Sequence, residues 1–357
     1  GAAPTGAGPT GAGPAREVVR VRPATPPAPA LLGHSFVELG VDAASGPPLA
    51  AALRTLGFTR TGRHRTKPVQ LWQQGQARVL LHDLPADAPG RGAAGVAAVV
   101  ALGLESEDPA GSAARAEALL APVLPRVRGA AEAELSAVAA PDGTQLFFTR
   151  TGADGWPADF VPTAEPAGAA AGVSRIDHVG LTQPFDAYDE AALFYRAVLD
   201  LDPQAVTEVQ APFGLVRTRV VTDPRRVVRL VLSAARLRRG DWAPGVPAPQ
   251  HVALATDDVV ATARALRAAG APLLVLPANY ADDLEARFDL PAELLAAVRE
   301  HGLMYEEDAG GGYLHLATEV LGDRVFFEFV QRLGGYDGCG TADAPVRMAA
   351  HRRARAR

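Results

Sequence analysis

The stretch Phe326-Phe327-Glu328-Phe329-Val330-Gln331-Arg332 reads as a buried β-strand, because aromatic and β-branched residues crowd it without helical spacing. One carboxylate sits in its middle. An isolated ionised carboxylate in such a strand would carry a desolvation cost of roughly several kcal/mol, so Glu328 needs a cation. Two other short apolar strands each carry one histidine: Ile176-Asp177-His178-Val179-Gly180-Leu181 and Gln250-His251-Val252-Ala253-Leu254. Two histidines and one carboxylate form the ligand set of an open, non-haem metal site. The sequence therefore predicts that His178, His251 and Glu328 meet at one divalent metal.

Outward from these strands the chain is repetitive. His34–Gly40 reads as a strand, followed by a helix to Leu56 and three further strands ending near His82. A second unit begins at Gly95 and closes with Gln145-Leu146-Phe147-Phe148-Thr149. The same order recurs from Ser174 and again from Gln250, the last unit carrying an insertion of two short helices between Tyr280 and Tyr305. Four βαβββ units, paired into two halves, give an α+β fold. Aligning the halves by sequence places His34 opposite His178, Val99 opposite His251 and Thr149 opposite Glu328. The first half then keeps one of three ligands, and one site per chain follows. His34 is expected to be a core residue.

The expected divisions are a flexible Pro/Gly/Ala linker over 1–30, a degenerate first half over 31–150 and an interdomain linker over 151–173. A metal-binding second half over 174–345 and a solvated basic tail over 346–357 complete the chain. The linker and the absence of an initiating methionine suggest the C-terminal part of a larger polypeptide.

Composition narrows the function. Of 357 residues 48% are hydrophobic, enough for one large core or two ordinary ones. A net charge of -5 gives no support for a nucleic-acid partner. Cys339 is the only cysteine, which excludes a disulfide framework and a thiolate metal site. No apolar run approaches the roughly 20 residues that span a bilayer, and the opening Gly, Ala, Pro and Thr do not read as the basic-then-apolar pattern expected of a signal peptide. A cytoplasmic protein is expected. The basic cluster Arg63, His64, Arg65 and Lys67 is expected as a solvated face or an interdomain contact, and the glycines from Gly310 to Gly312 as a turn.

These motifs resemble the vicinal oxygen chelate superfamily, in which such units pair into glyoxalase/dioxygenase-like half-barrel domains. Over residues 31 to 345 the chain is similar to 4-hydroxyphenylpyruvate dioxygenase. Asp177-His178-Val179, Gln250-His251-Val252-Ala253-Leu254, Asn279-Tyr280, Gly322-Asp323-Arg324 and Phe327-Glu328-Phe329-Val330-Gln331-Arg332 carry the resemblance. It implies Fe(II) on His178, His251 and Glu328, with Mg, Mn or Co as other divalent candidates. A small aromatic or 2-oxoacid substrate, Gln250 as a polar pocket group and self-association are implied as well. The chain departs from the dioxygenases where they read the substrate. Ser233 stands for an asparagine, His315 for a pocket glutamine, Arg236–Pro249 for a polar segment before the second ligand, and Gly334–Gly340 for the usual lid sequence. This pattern is more similar to the C-terminal half of bifunctional 3-dehydroshikimate dehydratases, which join an isomerase-like barrel to a dioxygenase-like domain. That resemblance implies a role in making protocatechuate, with the barrel outside this chain. A non-catalytic module stapled by metal is the contrasting expectation.

Overall fold

The computed structural model describes residues 25–88, 94–125, 128–152, 155–166, 168, 171–212, 214–236 and 249–356. The start of the first linker and most of the Arg236–Pro249 segment lie outside them. The described residues form two mixed sheets with helices packed against them, and one hydrophobic core running from Leu31 to Ala350 joins the halves.

The first sheet has eight strands. At its centre Ala98–Ser106, Leu31–Val41 and Ala77–Asp83 lie side by side. The second has nine, centred on Arg229–Arg236, Val173–Thr182, Gln250–Thr256 and Val325–Gly334. In each sheet the first strand of one unit runs antiparallel to the first strand of the next, and each pairs in parallel with the closing strand of its own unit. Each sheet is therefore two repeated units joined at their first strands; the second unit of the first sheet has two strands after its helix, Ser136–Ala139 and Gln145–Thr149, where βαβββ would have three.

The register identifies equivalent positions. In the second sheet Val173, Arg175, Ile176, His178, Val179 and Gly180 face Thr256, Ala255, Leu254, Ala253, Val252 and His251. In the first, Leu31, Gly33, His34, Phe36, Val37 and Glu38 face Ser106, Glu105, Leu104, Gly103, Leu102 and Ala101, with the same two skipped residues. Local hydrogen bonds agree. Ser106 bonds Ser112 at 2.8 Å and Asp108 caps the next helix through Gly111 N; Thr256 bonds Thr262 at 2.8 Å and Asp258 caps through Ala261 N.

This register corrects the sequence alignment by two residues. Phe36, not His34, occupies the position of His178, and Ala101, not Val99, that of His251. Gly103 faces Phe147 as Ala253 faces Glu328, so Phe147, not Thr149, holds the carboxylate position. The first half retains none of the three polar residues. His34 is buried, and burial, with the nearby His178, pushes its imidazole pKa down to about 4. A slip of two residues leaves every side chain on its own face of the strand, so the alternating hydrophobic pattern does not register it.

Two expected boundaries also change. Within 151–173, Trp156–Asp159 forms a 3₁₀ turn and Phe160–Pro162 a strand beside Thr59–His64, with Trp156 and Phe160 buried among Phe36 and Phe147. The expected basic tail is a helix, Ala344–Arg355, which buries Ala350 and His351. Its arginines disguise that amphipathic face. The two-helix insertion stands as expected, as Tyr280–Arg287 and Ala292–His301. None of the described helices is long and apolar enough to cross a membrane.

Candidate metal centre

The parallel pairing of Gln250–Thr256 with Val325–Gly334 puts Ala253 beside Glu328, and the antiparallel pairing with Val173–Thr182 puts Ala253 beside His178. His251 lies two residues from Ala253 on the same strand, hence on the same face. Three side chains from three adjacent strands thus converge. One donor atom each from His178, His251 and Glu328 lies within 4.8 Å of the others, as a single ion requires. All three residues are buried. His178 Nε2 and His251 Nε2 have no hydrogen-bond partner, and Glu328 Oε1 has none beyond its ion pair with Arg347. Buried polar atoms are seldom left so, and a cation satisfies all three at once. Gly180 makes the room, because a Cβ there would overlap the His251 imidazole.

The surroundings set the protonation states. Burial, opposed by Glu328, pushes the His251 pKa down to about 3, so the ring is neutral at pH 7 and one of its nitrogens has a lone pair to offer. Burial raises the Glu328 carboxyl, but Arg347 first, then the histidines, outweighs it and holds the pKa at about 2. Arg347 Nε lies 3.1 Å from Glu328 Oε1, and its guanidinium covers the Phe326 ring at 4.7 Å. Behind His178, Asp177 Oδ1 lies 2.8 Å from Nδ1. Asp177 accepts two hydrogen bonds from Arg332, at 2.6 and 2.9 Å. Burial works against ionisation of Asp177, yet Arg332 and His178 together hold it well below the usual carboxylate range. An ionised Asp177 keeps the proton on Nδ1 and aims the Nε2 lone pair at the centre.

A cavity of about 330 Å³ opens beside His251. Val209, Val216 and Val231 give it apolar walls, Thr218 and Ser233 a hydroxyl pair 3.3 Å apart, and Arg347 a cationic end. The helix Ala344–Arg355 forms its roof, adding His351, Arg352 and Arg355.

Of the expected pocket groups, Ser233 lines this cavity and the other two do not. Gln250 turns the opposite way, its Oε1 accepting from Val99 N at 2.9 Å across the junction of the halves. Strand alternation forces this, since His251 points to the cavity. His315 bonds Asp343 at 3.2 Å, and Asp343 bonds the Tyr280 hydroxyl at 2.8 Å. It pins the chain leading into the roof helix. Cys339 is buried in the wall, where burial pushes its thiol up to about 12. Sequence reasoning missed Arg347 because it falls where a solvated tail was expected. Asp177 and Arg332 lay within quoted motifs, and the signal for them was a second opposite-charge pair on apolar strands.

Residues 175–289 match the model of the Glyoxalase/Bleomycin resistance protein/Dioxygenase superfamily. The chain is 35% identical over 348 residues to 3-dehydroshikimate dehydratase of Pseudomonas putida, covering 92% of this chain and 53% of that protein. It is 26% identical over 331 residues to 4-hydroxyphenylpyruvate dioxygenase of Pseudomonas sp., covering 87% of this chain and 91% of the other. A solved structure described as a xylose isomerase-like TIM barrel/4-hydroxyphenylpyruvate dioxygenase fusion protein superposes with a TM-score of 0.79 at 34% identity, over 93% of this chain and 54% of that one. The chain spans about half the length of the dehydratase and of the fusion.

Proposed function

We propose, for a chain that carries a domain of the Glyoxalase/Bleomycin resistance protein/Dioxygenase superfamily, that it binds one divalent metal ion and serves as the dioxygenase-like part of a 3-dehydroshikimate dehydratase. The ligands are His178 Nε2, His251 Nε2 and a Glu328 carboxylate oxygen. The observation that carries this reading is the convergence of three buried donor atoms, within 4.8 Å of one another, next to a cavity that His251 lines. The ion is Fe(II) where the chemistry is oxidative; Mg, Mn and Co also suit the donor set. A bound ion of this kind supplies Lewis acidity and open positions on which a 2-oxoacid can chelate.

The chain's own residues do the rest. Asp177 fixes the His178 tautomer and ring direction. Arg347 stands at the end of the cavity nearest Glu328 and receives the carboxylate of a small aromatic or 2-oxo acid. Thr218 and Ser233 offer hydroxyl hydrogen bonds to the ligand's polar substituent, and the valine walls exclude water around its ring. The metal content of purified wild type, His178→Ala and Glu328→Ala tests the ligand assignment. About one equivalent per chain in wild type and a large loss in both variants is expected; unchanged content in the variants sinks it.

A second reading is favoured by the likeness to the dioxygenase over 91% of its length. On that reading the Fe(II)-loaded protein itself oxidises a 2-oxoacid. Oxygen uptake with 4-hydroxyphenylpyruvate decides between the two. Uptake supports the second; no uptake by protein that retains its metal leaves the first standing.

A further inference from the structure

The first half has a cavity of its own, of about 250 Å³, at the place where the second half has the metal-side cavity. The register makes the two equivalent. His82 faces Val69 as Ser233 faces Thr218, and Leu80 lies beside Glu38 as Val231 lies beside Gly180. Val69, Leu80 and His82 line the first cavity; Thr218, Val231 and Ser233 line the second. Its chemistry has been rebuilt. Phe36, Ala101 and Phe147 replace the three polar residues, while Glu38 stands where Gly180 leaves room for an imidazole. The Glu38 carboxylate lies 2.7 Å from His82 Nδ1.

We propose that this first-half cavity is a second ligand site, and that it takes a single aromatic ring carrying a neutral hydroxyl, a phenol or catechol. The depth of the cavity is aromatic. Phe36, Phe147, Trp156 and Phe160 line it, with Phe36 and Trp156 edge-on at 4.9 Å. Those rings pack on one another and leave no cage for a quaternary ammonium, but their remaining surface fits a flat ring. The volume suffices, since benzene enters an apolar cavity of roughly 150 Å³. The polar groups lie toward the mouth. The Glu38 and His82 side chains are 15% and 23% exposed, whereas Phe36 and Trp156 are each 2% exposed. A hydroxyl there donates to Glu38, a charge-assisted hydrogen bond.

Charge excludes an aryl carboxylate. Lys67 lines the mouth but is paired with Glu132 at 2.8 Å, and Asp159 adds another carboxylate. The second-half cavity has the opposite character, with Arg347, Arg352 and Arg355 on its lining. One scaffold thus carries two aryl cavities of opposite charge preference. This inference does not depend on the metal.

The test uses ¹⁹F NMR of 4-fluorophenol with the full chain and with matched cavity-filling variants, Leu80→Trp for the first half and Val231→Trp for the second. Broadening at millimolar ligand is expected with wild type and Val231→Trp, and is expected to vanish with Leu80→Trp. Circular dichroism and melting establish that each variant is folded. Should a filled variant not fold, Glu38→Gln decides, with an expected loss of about tenfold in phenol affinity. In Val231→Trp, 4-fluorobenzoate is expected to bind at least tenfold more weakly than the phenol. The proposal is overturned by no broadening with wild type, by broadening that follows Val231→Trp instead, by Glu38→Gln binding the phenol like wild type, or by equal binding of benzoate and phenol to Val231→Trp.

Discussion

Asp177→Asn separates what the Asp177–Arg332 pair does for the fold from what it does for the metal. Asn preserves size and can still accept one hydrogen bond from His178 Nδ1. It removes the negative charge that Arg332 meets at 2.6 and 2.9 Å. Arg332 then remains 14% exposed, with its guanidinium left to the carbonyls of Gly338 and Tyr336 and the faces of Tyr313 and Tyr336. Removing one partner of a buried pair costs about 3–5 kcal/mol. At this chain length that lowers the melting temperature by on the order of 10 °C. Loss of the carboxylate behind a metal-binding imidazole weakens metal affinity by roughly 10–100-fold, or about 1.4–2.7 kcal/mol. The two effects part company in Asp177→Asn/Arg332→Met, where no charge stays buried. That double variant is expected to regain much of the melting temperature of wild type but none of the metal affinity. Calorimetric titration with Mn(II) or Co(II) and metal-free thermal melting read both quantities. Metal affinity within about threefold of wild type in both variants would refute the role given to Asp177.

Gly180→Ala is expected to keep the fold and lose the metal, because the new Cβ overlaps the His251 ring; metal content with circular dichroism checks it. Arg347→Met leaves Glu328 buried without its nearest cation. The metal-free protein should melt lower, the gain in melting temperature on adding Mn(II) should be larger than in wild type, and benzoate binding in calorimetry should weaken at least tenfold. His315 gives a pH signature. Burial lowers its pKa, but Asp343, with Glu328 and Glu306 behind it, outweighs this and the net shift is upward from 6.5. A raised folded pKa favours the protonated form, so the stabilisation is complete below about pH 6.5 and fades as pH rises through the folded value. Melting temperature against pH should show that decline in wild type and a smaller one in Asp343→Asn.

Much of this architecture is legible in the chain. Glu328 among Phe326, Phe327 and Phe329 announces a charge in need of a cation, and His178 and His251 on matched apolar strands name the partners. Fourfold repetition carries the sheet plan. These signals survive because burial is written into local composition. The internal alignment failed by two residues, a shift that keeps the inward and outward alternation of each strand and so leaves no trace in hydrophobic pattern. Gln250 was misplaced because adjacency in sequence is opposition in a strand.

The sequence by itself determined which side chains could form a metal centre, because ionisable groups on buried strands have few satisfiable arrangements. Only the tertiary structure decided what surrounds that centre. Arg347 reaches Glu328 from a helix whose arginine-rich sequence reads as solvated. Phe36, Ala101 and Phe147 prove to be the counterparts of the three polar residues only through strand register, which depends on long-range hydrogen bonds that no local pattern encodes.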